Sequence, residues 1–181
     1  LDKTPACSVP SKIPWFNVTP QEVEQVCTAM GGAVCPTATW QTACQTTTPC
    51  TWGYNPRGVA CTSAYTASKY CNLGLSFDFD AVTAGDQDGL LPTASASLQN
   101  CWTDWSALQG NVASNNKLYD ITGNLREIVK TGANDYRLMG GAFNTSSDLG
   151  ATCSFSFYSV TQTFKFFDTG FRCCFTADPT L

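Results

Sequence analysis

The stretch Lys117 to Glu127, reading Lys-Leu-Tyr-Asp-Ile-Thr-Gly-Asn-Leu-Arg-Glu, is the part of the chain on which the interpretation of the fold depends. Asp120 and Glu127 supply two carboxylates to this stretch. Between them Gly123 permits a backbone turn that a residue with a Cβ resists, so the carbonyl groups of Gly123 and Leu125 can point inward beside the carboxylates. Oxygen ligands of this kind suit a hard cation, and the stretch therefore predicts a calcium site.

The composition is typical of a single globular domain. The chain has 181 residues, of which 43% are hydrophobic and 13% charged, which is enough for a core. No stretch approaches the roughly 20 apolar residues of a membrane helix, so no direct membrane insertion is expected. The net charge is −4 and the basic residues are scattered singly, which argues against a nucleic-acid partner.

Eleven cysteines indicate disulfides formed in an oxidising compartment, and hence an extracellular or cell-surface location. Zinc is the competing explanation, but the chain has no histidine and no Cys-x-x-Cys pair. The odd number leaves at least one thiol without a partner inside the chain, and Cys7 is the candidate. Cys50 and Cys61 lie in one irregular stretch and form the obvious local pair.

Two helices are predicted near the start of the chain. Thr19-Pro20-Gln21-Glu22 is a capping box with proline at the first helical position, and Gly31-Gly32 ends that helix. A second, shorter helix is predicted from Thr37, with Trp40, Ala43 and Cys44 at helical spacing. In both helices the cysteine faces the core.

The remainder of the chain predicts long loops followed by late strands. Strand-like composition covers Tyr136 to Phe143, Cys153 to Val160 and Phe164 to Phe175. This order predicts an α+β fold with little regular structure. Lys165, among phenylalanines of the last stretch, is interpreted as a charge that protects an edge strand.

The Lys117 to Glu127 stretch, together with Gly140-Gly141-Ala142-Phe143 and Gly170-Phe171-Arg172-Cys173, resembles the formylglycine-generating enzyme family, also called the sulfatase-modifying-factor domain. The resemblance runs from about Trp15 to Cys174. It implies a C-type-lectin-like fold with long loops, held by disulfides and calcium. We therefore expect one domain over residues 15–176, with an N-terminal extension (1–14) and a C-terminal tail (177–181).

The resemblance also implies two disulfides, Cys27 with Cys173 and Cys44 with Cys153. By elimination among the remaining cysteines, Cys71 pairs with Cys101 and Cys35 with Cys174. Each of the long crosslinks is expected to contribute on the order of 4 kcal/mol in the chain-entropy model.

Two calcium ions are implied by the same resemblance. Carried over residue by residue, the first site uses Asp120, Gly123, Leu125 and Glu127. The second site uses Asn72, Leu73, Asp88 and Leu90, and Asp86 could assist. The alternative is that the acidic residues Asp78, Asp80, Asp86 and Asp88 only solvate a loop.

The catalytic residues of the family are not retained. The family's copper site needs two thiolates after the double glycine, and those positions fall at Thr145 and Gly150 in this chain. A related iron-dependent branch relies on histidines, which this chain lacks. Hydrolysis by the pair Asp78 and Asp80 has little support from their spacing. The sequence therefore predicts a non-catalytic domain.

The predicted function is a secreted or surface-displayed, calcium-bearing adhesion module, as in cysteine-rich bacterial surface proteins and pilus-tip adhesins that look similar. Its partner would be a protein or glycan on another surface, or the rest of a larger adhesin. The expected contact surface comprises the loop Asn144 to Gly150, including Asn144 and Thr145, and the loop Trp102 to Trp105. Exposed rings suit such contacts, so Trp52, Tyr54, Trp102 and Trp105 are expected at the surface, and Trp15 and Trp40 in the core. The alternative for any single ring is that it only fills the core of a fold rich in loops. The alternatives are an oxidase whose metal site has moved and a structural subunit of an extracellular assembly.

Overall fold

The computed structural model describes residues 11–45, 70–74, 89–104 and 117–176. Within these ranges the fold is a mixture of short helices and short strands. None of the helices in these ranges has the length and apolar character needed to cross a bilayer. Several predictions concern residues outside the described ranges: the free thiol at Cys7, the Cys50–Cys61 pair, the rings of Trp52, Tyr54 and Trp105, and the acidic residues Asp78, Asp80, Asp86 and Asp88.

Helix α1 (Pro20–Ala29) begins at the predicted capping box. The hydroxyl of Thr19 accepts a hydrogen bond from the backbone N–H of Glu22, and the Glu22 carboxylate accepts one from the N–H of Thr19. Gly31 follows the helix with a φ of +80°, which ends it as predicted. Helix α2 (Thr37–Gln45) is also confirmed, and Cys27 and Cys44 are both buried in the core.

The main sheet has four strands in the order β6-β5-β4-β7: β4 is Arg126–Gly132, β5 is Asp135–Met139, β6 is Ser156–Val160 and β7 is Thr169–Phe171. Strand β7 runs parallel to β4, and the other neighbours are antiparallel. Two smaller pairs join β1 (Ala33–Val34) to β8 (Cys173–Cys174) and β2 (Trp102–Asp104) to β3 (Lys117–Tyr119).

The strand predictions were only partly right. The stretch 136–143 is a strand only to Met139, because the double glycine at 140 and 141 turns the backbone into the left-handed region. Residues 164–166 have no regular secondary structure and residues 167–168 form a turn, so there is no edge strand at Lys165 and its interpretation as an edge guard was wrong. Strand β4 was missed, because its first residues had been assigned to a ligand loop.

The middle of the sheet, at β4 and β5, is buried on both faces. Ile128 and Leu138 pack with Val23 and Cys27 of α1, whereas Val129 packs on the opposite face in the cluster that holds Trp40 of α2. Trp40 is therefore a core residue, as predicted. Trp15 was expected in the core, but it is 56% exposed and touches Phe171 with only part of its ring.

Four disulfides lie among the described residues, and they are the pairs expected there: Cys27–Cys173, Cys35–Cys174, Cys44–Cys153 and Cys71–Cys101. The first two tie α1 and the connection between β1 and α2 to β8, and the third ties α2 to the segment before β6. We call residues 19–45, 126–143 and 153–176, which contain α1, α2, β1 and β4–β8, the crosslinked body. The disulfides indicate an oxidising compartment.

Candidate ligand-binding site

The carboxylate of Glu127, predicted as a calcium ligand, is held by two side chains of the crosslinked body. Arg172 donates from Nε to Oε2 at 2.6 Å and from a terminal nitrogen to Oε1, and the indole N–H of Trp40 donates to Oε2 at 2.6 Å. Glu127 is almost fully buried, so a buried ion pair compensates its charge. The same guanidinium donates to the carbonyl of Tyr119 at 3.1 Å, which links the body to the end of β3.

Asp120, the other predicted carboxylate of this site, lies beside that ion pair. Its Oδ2 accepts a hydrogen bond from the backbone N–H of Ala94 at 2.8 Å. Loss of solvation raises the pKa of Asp120 to about 6, and the charge of Glu127 adds to the rise while the Ala94 N–H and Arg172 oppose it. The described surroundings of Asp120 therefore compensate its negative charge only in part.

Asn72 and Asn124 form a bracket between two loops. The Asn72 amide donates to the carbonyl of Gly89 at 2.6 Å and to Oδ1 of Asn124 at 2.9 Å. Asn124 in turn donates to the carbonyl of Leu91 at 2.9 Å and accepts from its N–H at 3.0 Å. Asn124 was not assigned a role from the sequence, although the dipeptide Gly123-Asn124 is typical of left-handed backbone, which both residues adopt.

The predicted calcium residues are therefore placed as follows. Glu127 is engaged by Arg172 and Trp40. Asn72 belongs to the bracket, and Leu73 and Leu90, which were predicted to bind the ion through their backbone carbonyl groups, are buried. Among the described residues, no group of three His, Cys, Asp or Glu side chains is placed to hold a metal ion. Asp120 fits a cation, whereas Glu127 fits one poorly because a guanidinium already contacts both of its oxygens.

The loop after the double glycine has a rigid base. The Oγ1 of Thr145 accepts from the N–H of Ala142 at 2.9 Å, and the Asn144 amide donates to Oδ2 of Asp168 at 3.1 Å. Asp168 is also paired with Arg126, at 2.5 Å. Asn144 and Thr145 were predicted to contact a ligand, but in the structure Thr145 is buried and Asn144 is partly buried, so both hold the loop.

The tip of this loop is exposed. Ser146 and Ser147 face solvent, and Leu149 is 61% exposed on the short 3-10 helix Asp148–Ala151. The residues that follow are buried at once: Gly150 lies against Thr145, and Ala151 packs on the Cys71–Cys101 disulfide. Leu149 was not singled out from the sequence, because an isolated leucine carries no exposure signal.

The Cys71–Cys101 disulfide joins three segments that are distant in sequence. Leu73, Leu98 and Ala151 pack around it, and Cys101 also contacts the carbonyl of Thr122 at 3.3 Å. We call the segments 70–74, 89–101 and 144–152 the loop platform. The platform contains the loop tip at Leu149 and the residues that precede Trp102.

A cavity of about 450 Å³ lies at the edge of the loop platform. Its walls include Gln99 and Asn100 from the platform and Trp102, Lys117 and Tyr119 from the β2–β3 pair. Trp102 was expected to be exposed, but it is only 4% exposed and forms part of the wall. Lys117 and Tyr119 were not predicted as site residues, and their pairing with β2 is what brings them to Trp102.

No protein-family model and no curated protein matches this chain. The solved structures that are similar to it include CarF and a variable protein of Treponema denticola. CarF aligns with a TM-score of 0.53 and 16% identity over 90% of this chain and 67% of CarF. Treponema denticola variable protein 1 aligns with a TM-score of 0.47 and 17% identity over 77% of this chain and 46% of that protein. At such identities a likeness concerns the fold alone, and the chain shares its overall fold with CarF.

Proposed function

We propose that the chain is a secreted or surface-displayed binding module with a C-type-lectin-like fold of the formylglycine-generating type. The observation that carries this proposal is the contrast within the loop after the double glycine. Its base is held by Thr145, Asn144 and a disulfide-packed Ala151, whereas its tip exposes Leu149. A rigid base lets a loop present a contact surface at low entropic cost.

The disulfides support the family part of the proposal. Cys27–Cys173 and Cys44–Cys153 are the two pairs that the resemblance implies, and both are present. The two glycines after β5 have left-handed backbone, and a Cβ on Gly140 would lie 2.5 Å from the carbonyl oxygen of Ile121. Glycine is therefore required at that position for steric reasons as well as for its φ.

We further propose that the module is non-catalytic. The two positions that correspond to the copper-binding thiolates carry Thr145, whose hydroxyl holds the loop, and Gly150, where a Cβ would lie 2.8 Å from Thr145. The nearest thiol in sequence, Cys153, is bonded to Cys44. Incubation with copper, oxygen and a cysteine-containing peptide should give no formylglycine by mass spectrometry, and turnover would support the oxidase alternative instead.

The binding proposal is tested with Leu149→Ser in a screen of immobilised glycans and surface proteins. The matched control is Tyr158→Ser, which removes another exposed apolar side chain, on β6 of the crosslinked body. We expect Leu149→Ser to weaken the best binder about tenfold or more, as hot-spot truncations do, and Tyr158→Ser to leave it unchanged. Equal effects of the two variants would place the contact surface elsewhere.

Calcium binding is a second proposed property, and Asp120 is the observation that favours it. Its pKa is raised by desolvation, so a cation at this carboxylate would relieve an unfavourable charge. We expect calcium to raise the melting temperature and a chelator to reverse the rise, and we expect Asp120→Asn to abolish both effects. A melting temperature that is indifferent to calcium would remove the ion from the proposal and leave the binding surface in place.

A further inference from the structure

The cavity beside Trp102 has the volume of a small-molecule site. Its volume of about 450 Å³ lies within the range of roughly 300 to 1,000 Å³ that is usual for ligand pockets. The described lining residues include the amides of Gln99 and Asn100 and the aromatic side chains of Trp102 and Tyr119. Lys117 is the charged member of this described set.

We propose that this cavity binds an acidic sugar, that is, a monosaccharide that carries a carboxylate. This inference rests on the proposed binding function and names the chemical class of one ligand. The ammonium of Lys117 would contact the carboxylate, and the amides of Gln99 and Asn100 offer both donors and acceptors to the hydroxyl groups. Neutral sugars offer the same hydroxyl groups, so the charge of Lys117 is what selects the acid.

Lys117 is positioned before any ligand arrives. Its Nζ lies 4.8 Å from the centroid of the Trp102 ring, and Trp102 is itself fixed by burial and by its pairing with Tyr119 across β2 and β3. A cation–π contact already restricts the lysine side chain, so less of its conformational entropy is lost when a ligand binds. Trp102 is therefore a positioning residue for Lys117 rather than a stacking platform for the sugar ring.

The backbone around the cavity is also held in place. The N–H of Ala94 donates to Asp120, and both residues have left-handed backbone, with φ values of +55° and +52°. The carbonyl of Tyr119 accepts from Arg172. These contacts fix two walls of the cavity. Little conformational entropy of the backbone therefore remains to be lost when a ligand binds.

The test compares glucuronate with glucose, which differ in the carboxylate at one carbon, by ligand-observed NMR titration of the whole chain. We expect glucuronate to bind about tenfold more tightly than glucose, the size of effect that one charge-assisted hydrogen bond gives. Lys117→Gln should remove this preference, and Lys117→Arg should keep most of it. Lys165→Gln, at another exposed lysine, is the matched control and should change nothing.

Equal affinity for glucuronate and glucose, failure of both to bind, or an unchanged preference in Lys117→Gln would overturn the inference. Trp102→Phe tests the positioning role, because phenylalanine keeps a ring with a weaker cation–π contact. It should lower glucuronate affinity in the parent chain but have no effect in the Lys117→Gln background. Loss of affinity in both backgrounds would show that Trp102 acts only through the fold.

The failure of this inference can be distinguished from the failure of the proposed function. Leu149 lies at the loop tip and does not line the cavity, so Leu149→Ser should leave glucuronate binding unchanged. If the cavity binds no acidic sugar while Leu149→Ser still weakens a partner in the screen, only the inference fails. If glucuronate binds as expected and no screened partner depends on Leu149, only the proposed loop surface fails.

Discussion

In the crosslinked body, three disulfides join residues that are 146, 139 and 109 positions apart, whereas the described disulfide of the loop platform joins residues 30 positions apart. The body also has strand pairing and two helices. The platform relies on side-chain amides, because the bracket of Asn72 and Asn124 takes the place of a strand pair between its loops.

This difference indicates that the body is stabilised as a whole and the platform only locally. In the chain-entropy model the longer crosslinks remove only about 1 kcal/mol more than the shorter one, but they join segments from both ends of the body and so stabilise it as a whole. A short crosslink and a few hydrogen bonds fix only the local shape of the platform. Loop sequences can therefore vary on the platform without unfolding the body, which suits the proposed binding function.

The largest expected effect concerns the adjacent bridges Cys27–Cys173 and Cys35–Cys174, which close nearly the same loop. Removing either bridge by alanine substitution should cost about 3 kcal/mol, because the neighbouring bridge still holds the ends together. Removing both should cost about 7 kcal/mol, more than the sum of the single losses. Guanidinium unfolding followed by circular dichroism under non-reducing conditions measures the three variants.

The platform bridge provides the control. Removing Cys71–Cys101 should also cost about 3 kcal/mol, but the loss should be local, with proteolysis near the platform and an unfolding transition of the body close to the parent. Global unfolding of this variant would contradict the claim that the platform bridge stabilises the platform only locally.

The body could be predicted from the sequence better than the platform, for identifiable reasons. Helix α1 has a local signal in its capping box, and the pairs Cys27–Cys173 and Cys44–Cys153 followed from the resemblance. Strand β4 was missed because a buried Glu127 looks like a loop ligand until its partner Arg172, 45 residues later in the chain, is known. A buried charge is predictable only together with the residue that compensates it.

The second prediction concerns that ion pair, which joins the body to the end of β3. Arg172→Gln should cost about 4 kcal/mol, because it leaves Glu127 buried without a positive partner and beside Asp120. The comparison is Glu24→Gln, which removes a pair with Lys130 that is about one-third exposed on each side. That variant should cost less than about 1 kcal/mol. Urea unfolding of both variants at neutral pH measures the difference, and similar losses would mean that burial does not strengthen the pair.

A smaller effect is expected from pH at the boundary between the two regions. The pKa of Asp120 in the folded protein is raised from 3.8 to about 6, so between these values the folded state binds more protons than the unfolded state. Stability should therefore fall as pH rises from about 4 to 6, by about 3 kcal/mol for this group. In Asp120→Asn this part of the fall should disappear. The check is the melting temperature as a function of pH in calcium-free buffer, and a parent curve identical to that of Asp120→Asn would contradict the prediction.

The candidate site was less predictable, because its parts are brought together by contacts that no local pattern encodes. Lys117 and Trp102 meet through the β2–β3 pairing, and Leu149 reaches the platform through Ala151 and the Cys71–Cys101 bridge. Asn124 did have a local signal in Gly123-Asn124. That signal indicates a left-handed turn, but it does not name Asn72 as the partner of the side chain.

The smallest expected effect compares two glycines with similar backbone, Gly140 at the boundary of the platform and Gly31 in the body. Their φ values are +85° and +80°, so alanine at either position should cost about 1 kcal/mol for the left-handed conformation. At Gly31 no atom of the described residues lies within 4 Å of the added Cβ, whereas at Gly140 the carbonyl oxygen of Ile121 lies 2.5 Å away. We expect Gly140→Ala to cost about 2 kcal/mol more than Gly31→Ala in urea unfolding, since the backbone of two elements must move apart. Equal losses of unfolding free energy would mean that the backbone around Gly140 moves to accept the Cβ at no cost. That result would argue against a rigid base for the loop that follows.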